Sequence, residues 1–78
     1  MIKMKNKEEF YKKWEDATKV AEDRYPTTYY IMIGNRSYLR ADGYYTTDNN
    51  YTPEGYVILM YKKAEIGMIS FKRIKDIG

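Results

Sequence analysis

Tyr56-Val57-Ile58-Leu59-Met60-Tyr61 is the longest uncharged apolar run in the chain, and its reading decides the fold. Six residues rich in branched and aromatic side chains, with Gly55 before them and Lys62-Lys63 after, fit a strand; a helix usually needs ten or more. Alternation sends Val57, Leu59 and Tyr61 to one face and Tyr56, Ile58 and Met60 to the other. Both faces are apolar. A sheet with a helix on one side and water on the other alternates apolar with polar residues, so this strand asks for cover on both faces. The far wall of a small barrel would supply that cover, and so would a partner.

Downstream, Lys62 to Glu65 turns the chain and Ile66 to Phe71 returns as a strand, with Gly67 as its weak point or a site of close backbone approach. The closing residues 71–78 form either a short strand or one helical turn, anchored by Ile74 and Ile77. Upstream, residues 42–55 carry turn chemistry at Asp48-Asn49-Asn50 and Pro53-Glu54-Gly55, yet also Tyr44, Tyr45 and Tyr51. Asp42-Gly43 is either a second tight turn or a bulge bending one long strand from Arg36 to Thr47. Aromatic residues on a polar loop either fold back over the sheet or await a partner.

Thr28 to Ile33 and Arg36 to Ala41 flank Gly34-Asn35, which suits a tight hairpin. A two-residue loop sets Ile33 opposite Arg36, Ile31 opposite Tyr38 and Tyr29 opposite Arg40 on a mixed outer face. It leaves Met32, Ser37, Tyr30 and Leu39 as the core side. Asn6 to Tyr25 reads as the one helix. Asn6 is its N-cap and Glu9 stands three residues on. Phe10, Trp14, Ala17, Ala21 and Tyr25 make a narrow apolar stripe, and Pro26 ends the helix.

The 78 residues predict a single domain. With no Cys and no His, the chain lacks the usual thiol nucleophile, the usual general base and the commonest zinc ligands. Scattered carboxylates such as Asp42, Asp48, Glu54 and Glu65 form no convincing pair, and Asp48-Asn49-Asn50 lacks the glycine and the final acid of a calcium loop. The expectation is therefore no catalysis, no metal and no cofactor. No long apolar run and no apolar leader follow Met1, which points to a cytoplasmic protein without a membrane span.

Two binding readings remain. Tyrosine supplies 10 of the 78 residues, and that excess, beside Arg36 and Arg40, is what protein interfaces use. Arg36, Arg40, Tyr44, Tyr45 and Tyr51 are the candidate contacts with a protein partner. The short, single-domain chain, without chemistry and with the Lys, Ile, Asn and Tyr usage of A+T-rich codons, resembles in general character the accessory proteins of phages and mobile elements that act as inhibitors by occluding a host protein. A homodimer would cover the second sheet face equally well. The alternative is single-stranded nucleic acid. Charge is +1 over residues 1–25, −1 over 26–55 and +3 over 56–78, in line with the net +3. Lys62, Lys63, Lys72 and Arg73 would then contact phosphates while Tyr44 and Tyr45 stack on bases. One helix, several strands and a closing Phe71-Lys72-Arg73-Ile74 resemble in outline the Sm-like RNA-binding family, whose Asn-Gly and Phe-Asp stretches are replaced or missing here. The fold expected from all of this is α+β, with the N-terminal helix packed on a curled, four- or five-stranded antiparallel sheet that approaches a small barrel.

Overall fold

In the computed structural model, which describes residues 6–46 and 52–78, the Asn6 side chain accepts from the Glu9 N–H at 3.0 Å and starts α1 (Lys7–Ala21) as its capping pattern predicts. Phe10, Ala17 and Ala21 are buried along one stripe. The helix ends four residues before the expected Tyr25. Asp23 and Arg24 bond back only three residues, to the Val20 and Ala21 carbonyls at 3.2 and 3.1 Å, which tightens the chain out of α geometry. Arg24 then holds the turn by donating from Nη1 to the Thr28 carbonyl at 2.7 Å and the Gly78 carbonyl at 3.1 Å. Tyr25 is fully exposed and takes no part in the stripe.

The hairpin forms where expected, between β1 (Tyr29–Met32) and β2 (Tyr38–Ala41), but in a different register. Tyr29 lies opposite Ala41, Tyr30 opposite Arg40, Ile31 opposite Leu39 and Met32 opposite Tyr38. The Ile33 N–H donates to the Ser37 carbonyl at 3.0 Å, so the loop holds three residues, Gly34, Asn35 and Arg36, in place of two. A one-residue slip exchanges the faces of a strand. The core side is therefore Tyr29, Ile31 and Ala41, with Ile33 and Leu39 packed beside them, while Tyr30 and Met32 turn outward.

Asp42 is the second departure. β2 ends at Ala41, and β3 (Gly43–Tyr45) pairs antiparallel with β4 (Tyr56–Tyr61). The Asp42 N–H donates to the Met60 carbonyl at 2.8 Å, and Asp42 Oδ2 accepts from the Lys62 N–H at 2.9 Å. Asp42-Gly43 is thus a bend in one continuous run that hands the chain from one sheet to another. The expected single curled sheet is corrected accordingly. Among the described residues six strands form two three-stranded antiparallel sheets, β2–β1–β6 and β3–β4–β5, and neither closes into a barrel.

β4 and β5 (Ala64–Ser70) join through Lys62-Lys63, both left-handed at φ +51° and +68°. Leu59 pairs with Gly67 but Met60 with Glu65, so Ile66 is the extra residue of a β-bulge. No heavy atom lies within 4 Å of where a Gly67 Cβ would stand, which makes Gly67 a weak point and not a close approach. At the C-terminus both predicted alternatives occur in succession. Phe71–Arg73 forms one 3-10 turn, and β6 (Asp76–Ile77) pairs with β1. Ile74 and Ile77 are buried, as expected of anchors.

The helix spans the seam between the two sheets, and aromatic rings fill it. Phe10 is wholly buried, edge-on to Tyr44 at 4.8 Å and 5.4 Å from Phe71. Trp14 stacks on Tyr29 at 3.8 Å and meets the Tyr44 ring edge-on at 4.7 Å. Two polar tips of this cluster are paired: the Tyr29 and Thr18 hydroxyls share a 2.6 Å hydrogen bond, and those of Tyr11 and Thr46 a 2.7 Å one.

Candidate binding surface

The apolar strand β4 meets its two demands for cover differently. Its inner face, Val57 and Leu59, is fully buried beneath the aromatic seam. On the outer face, register sets Tyr45, Ile58 and Met68 in one row across the three strands, with Tyr56 opposite Ser70 in the row beside it. Ile58 is buried between its neighbours, but Tyr45, Tyr56 and Met68 are 42%, 39% and 53% exposed. Ile66, displaced by the bulge, is exposed as well. These large apolar side chains surround one buried isoleucine on the open face of a sheet, a grouping that monomeric domains seldom leave uncovered.

The outer face of β2–β1–β6 is chemically different. Tyr30 and Tyr38 meet edge-on at 5.2 Å, and the Arg24 guanidinium lies 4.5 Å over the Tyr30 ring. Tyr38 raises the Arg40 guanidinium above its ordinary pKa, first through a side-chain hydrogen bond and then through charge, with Tyr30 and Tyr61 adding to it. Here aromatic and cationic groups contact one another, although Tyr38 and Arg40 remain exposed, so this face is mixed where the Tyr45–Ile58–Met68 row is uncharged.

Of the five residues expected at a protein interface, the four described ones are spread over a loop, the outer faces of two sheets and the aromatic seam. Arg36 is exposed in the three-residue loop, and Arg40 lies on the outer face of β2. Tyr45 lies on the outer face of the other sheet. Tyr44 points inward against Phe10, Tyr11 and Trp14, where burial pushes its phenol pKa up, with Tyr11 and Tyr29 adding to the shift. Tyr51, and with it Asp48-Asn49-Asn50, lies outside the described residues. Tyr56, Ile66 and Met68 are missing from the expected set. The signal for them is the two-sided apolarity of β4 followed into its hairpin partner.

The four basic residues expected at phosphates are divided between the ends of β5. Lys62 and Lys63 form the turn before it, and Lys72 and Arg73 lie in the 3-10 turn after it. Seven strand residues separate the pairs by roughly 23 Å at about 3.3 Å per residue. A groove at the start of α1 is lined by Asn6, Lys7, Glu8, Thr52, Glu54, Gly55 and Phe71. Glu8 and Glu54 set two carboxylates there, and the buried Thr52 hydroxyl has no hydrogen-bond partner among the described residues. Among the described residues no group of three acidic side chains is placed to hold a metal ion, and no helix is long and apolar enough to cross a membrane. Comparison with protein-family models, with curated proteins and with solved structures finds no significant match to this chain.

Proposed function

We propose that this protein is a cytoplasmic, non-enzymatic binding module. It attaches to a partner protein through the outer face of β3–β4–β5 and acts by occluding the surface it covers, as an inhibitor or adaptor does. The observation that carries this reading is the row Tyr45–Ile58–Met68 with Tyr56 beside it: large, uncharged and open on a rigid three-stranded sheet. Tyrosine and methionine are enriched at interface centres, where charged side chains are depleted. Arg36 lies in the loop between β1 and β2 and Arg40 on the outer face of β2, and in this reading they serve at the rim or not at all.

Single-stranded nucleic acid has weaker support. Its cations stand as two separated pairs, and Tyr44, one of the two residues proposed to stack on bases, packs against Phe10 and Trp14. The barrel of the Sm-like outline is also not formed. The experiment replaces Tyr45, and separately Tyr56, by a photo-crosslinking phenylalanine analogue in the native host. One protein adduct of defined mass from both positions, and none from the exposed Tyr25, supports the reading. Adducts to nucleic acid alone, or none at either position, overturn it, and an adduct of twice the chain mass replaces the partner with a second copy.

A further inference from the structure

We infer that the free edge of β5 accepts an extended segment of the partner as an added strand, and that this segment is apolar at alternate positions and acidic at both ends. The inference rests on the outer face being a protein-binding surface, and it names the chemistry of what arrives there.

β5 is the outer member of β3–β4–β5, bonded to β4 on one side only. Residues Ala64 to Met68 are all exposed, and the space around Gly67 is open. The Phe71 N–H donates to the Gly55 carbonyl at 3.0 Å. Antiparallel pairs alternate between bonded and non-bonded, so Ile69 and Gly67 direct their backbone groups to β4 while Ser70 and Met68 direct theirs outward. Among the described residues, no backbone bond to another segment meets these outward groups. A strand laid along this edge would have two registered backbone positions to pair with. Its alternate side chains would extend the row Tyr45–Ile58–Met68 and cover Ile66.

Charge decides the occupant. Lys62-Lys63 stands at one end of the edge and Lys72-Arg73 at the other, all four exposed; Glu65 is the sole acid between residues 56 and 75, and the fold adds the Asp42 carboxylate beside the Lys62 N–H. An incoming strand with carboxylates at both ends meets a cation at each. A second copy matches this pattern less well than a strand acidic at both ends. Two-fold antiparallel pairing centred on Gly67 or on Met68 would set Lys62 opposite Lys72 or Lys63 opposite Arg73, like charges that destabilise, and pairing centred on Ile69 offers those cations, within residues 62–73, only Glu65, opposite Arg73. Lysines placed this way discourage self-pairing at an open edge. An extended phosphate backbone would find its cations interrupted by the apolar middle of the strand.

The test selects a random peptide display library on the immobilised full chain, and the most enriched peptide is synthesised for amide hydrogen exchange measured residue by residue. Enriched sequences are expected to alternate apolar residues and to carry Asp or Glu at both ends, and the peptide should slow exchange at Met68 and Ser70. Met68→Pro removes one outward N–H without touching the β4 ladder, and it should weaken binding roughly tenfold relative to Met68→Ala, which also loses the methionine side chain but keeps the N–H. The double variant Lys72→Glu/Arg73→Glu, which leaves the edge backbone intact, should move the enriched sequences toward Lys or Arg at one end. The proposal is overturned by no enrichment, by enrichment without acidic ends, or by protection away from β5. Concentration-dependent protection without peptide would assign the edge to a second copy, and displacement of the peptide by poly-dT would assign it to nucleic acid. The two readings separate cleanly. Tyr45 and Tyr56 adducts that persist in Met68→Pro leave the sheet face as the binding surface and remove the edge, whereas their absence in the parent chain removes the face itself.

Discussion

The two faces of β4 are built from the same kinds of residue, yet one is sealed and the other open. Inside, Val57 and Leu59 lie under rings whose Tyr11 and Tyr29 hydroxyls are paired with Thr46 and Thr18. Outside, Ile58 is buried only by its own neighbours, and Tyr45, Tyr56 and Met68 end in solvent. The contrast teaches that residue type alone does not separate a core from a contact surface. Position relative to α1 does: the helix covers one side of the seam, and nothing else in the described chain covers the other.

The largest effect that would break this contrast is at its inner centre. Phe10→Ala removes the ring that Trp14, Tyr44 and Phe71 share, and should cost about 3–5 kcal/mol, much of the roughly 4–12 kcal/mol expected for a domain of this length. Chemical denaturation reads it; a loss under about 1 kcal/mol would contradict the central place given to Phe10. Next, a matched pair tests the two faces directly. Leu59→Ala should cost about 2–5 kcal/mol, while Met68→Ala, one pairing away but on the open side, should stay within about 0.5 kcal/mol. Equal losses would mean that the outer face is a second core.

Smaller effects sharpen the picture at its margins. Asn6→Ala should cost about 1 kcal/mol by freeing the Glu9 N–H, seen as a lower thermal midpoint with an unchanged cooperative transition. The smallest effect is at Tyr44. Its phenol pKa is raised in the folded state, so below the ordinary value near 10 the preference for the neutral phenol is fully present. As pH rises through the folded value, the unfolded chain releases that proton more readily and stability falls. Tyr44→Phe should flatten this alkaline loss relative to the parent chain; an unchanged slope would mean that Tyr44 titrates as though exposed.

Much of this fold was legible because its signals are local. The Asn6 cap, the Phe10–Ala17–Ala21 stripe, the apolar run of β4 and the anchors Ile74 and Ile77 each depend on a few neighbouring residues. The register of β1 and β2 was not legible, because Gly34-Asn35 suits a two-residue loop as well as it suits part of a three-residue one. That single residue decides whether Tyr29 or Tyr30 enters the core. The change of sheet at Asp42 was hidden for a related reason: Asp42-Gly43 can turn or bend a chain, and only the distant carbonyl of Met60 selects between them. For the candidate surface, Tyr45 was legible but Tyr44 beside it belongs to the seam. Adjacent strand residues face opposite ways, so a tyrosine-rich segment does not by itself reveal which rings are free.

The Lys62-Lys63 turn carries one more consequence, for anyone engineering this molecule. Left-handed backbone at two consecutive lysines is a seat that asparagine and glycine fill with less steric cost. Lys62→Asn with Lys63→Gly should therefore stabilise the fold by on the order of 1 kcal/mol, seen as a higher melting temperature. The chain forgoes that easily reached stability and keeps two positive charges at the tip of its longest hairpin. A thermostabilised version would be a sturdier scaffold and, by the same substitution, a changed one at the end of β5.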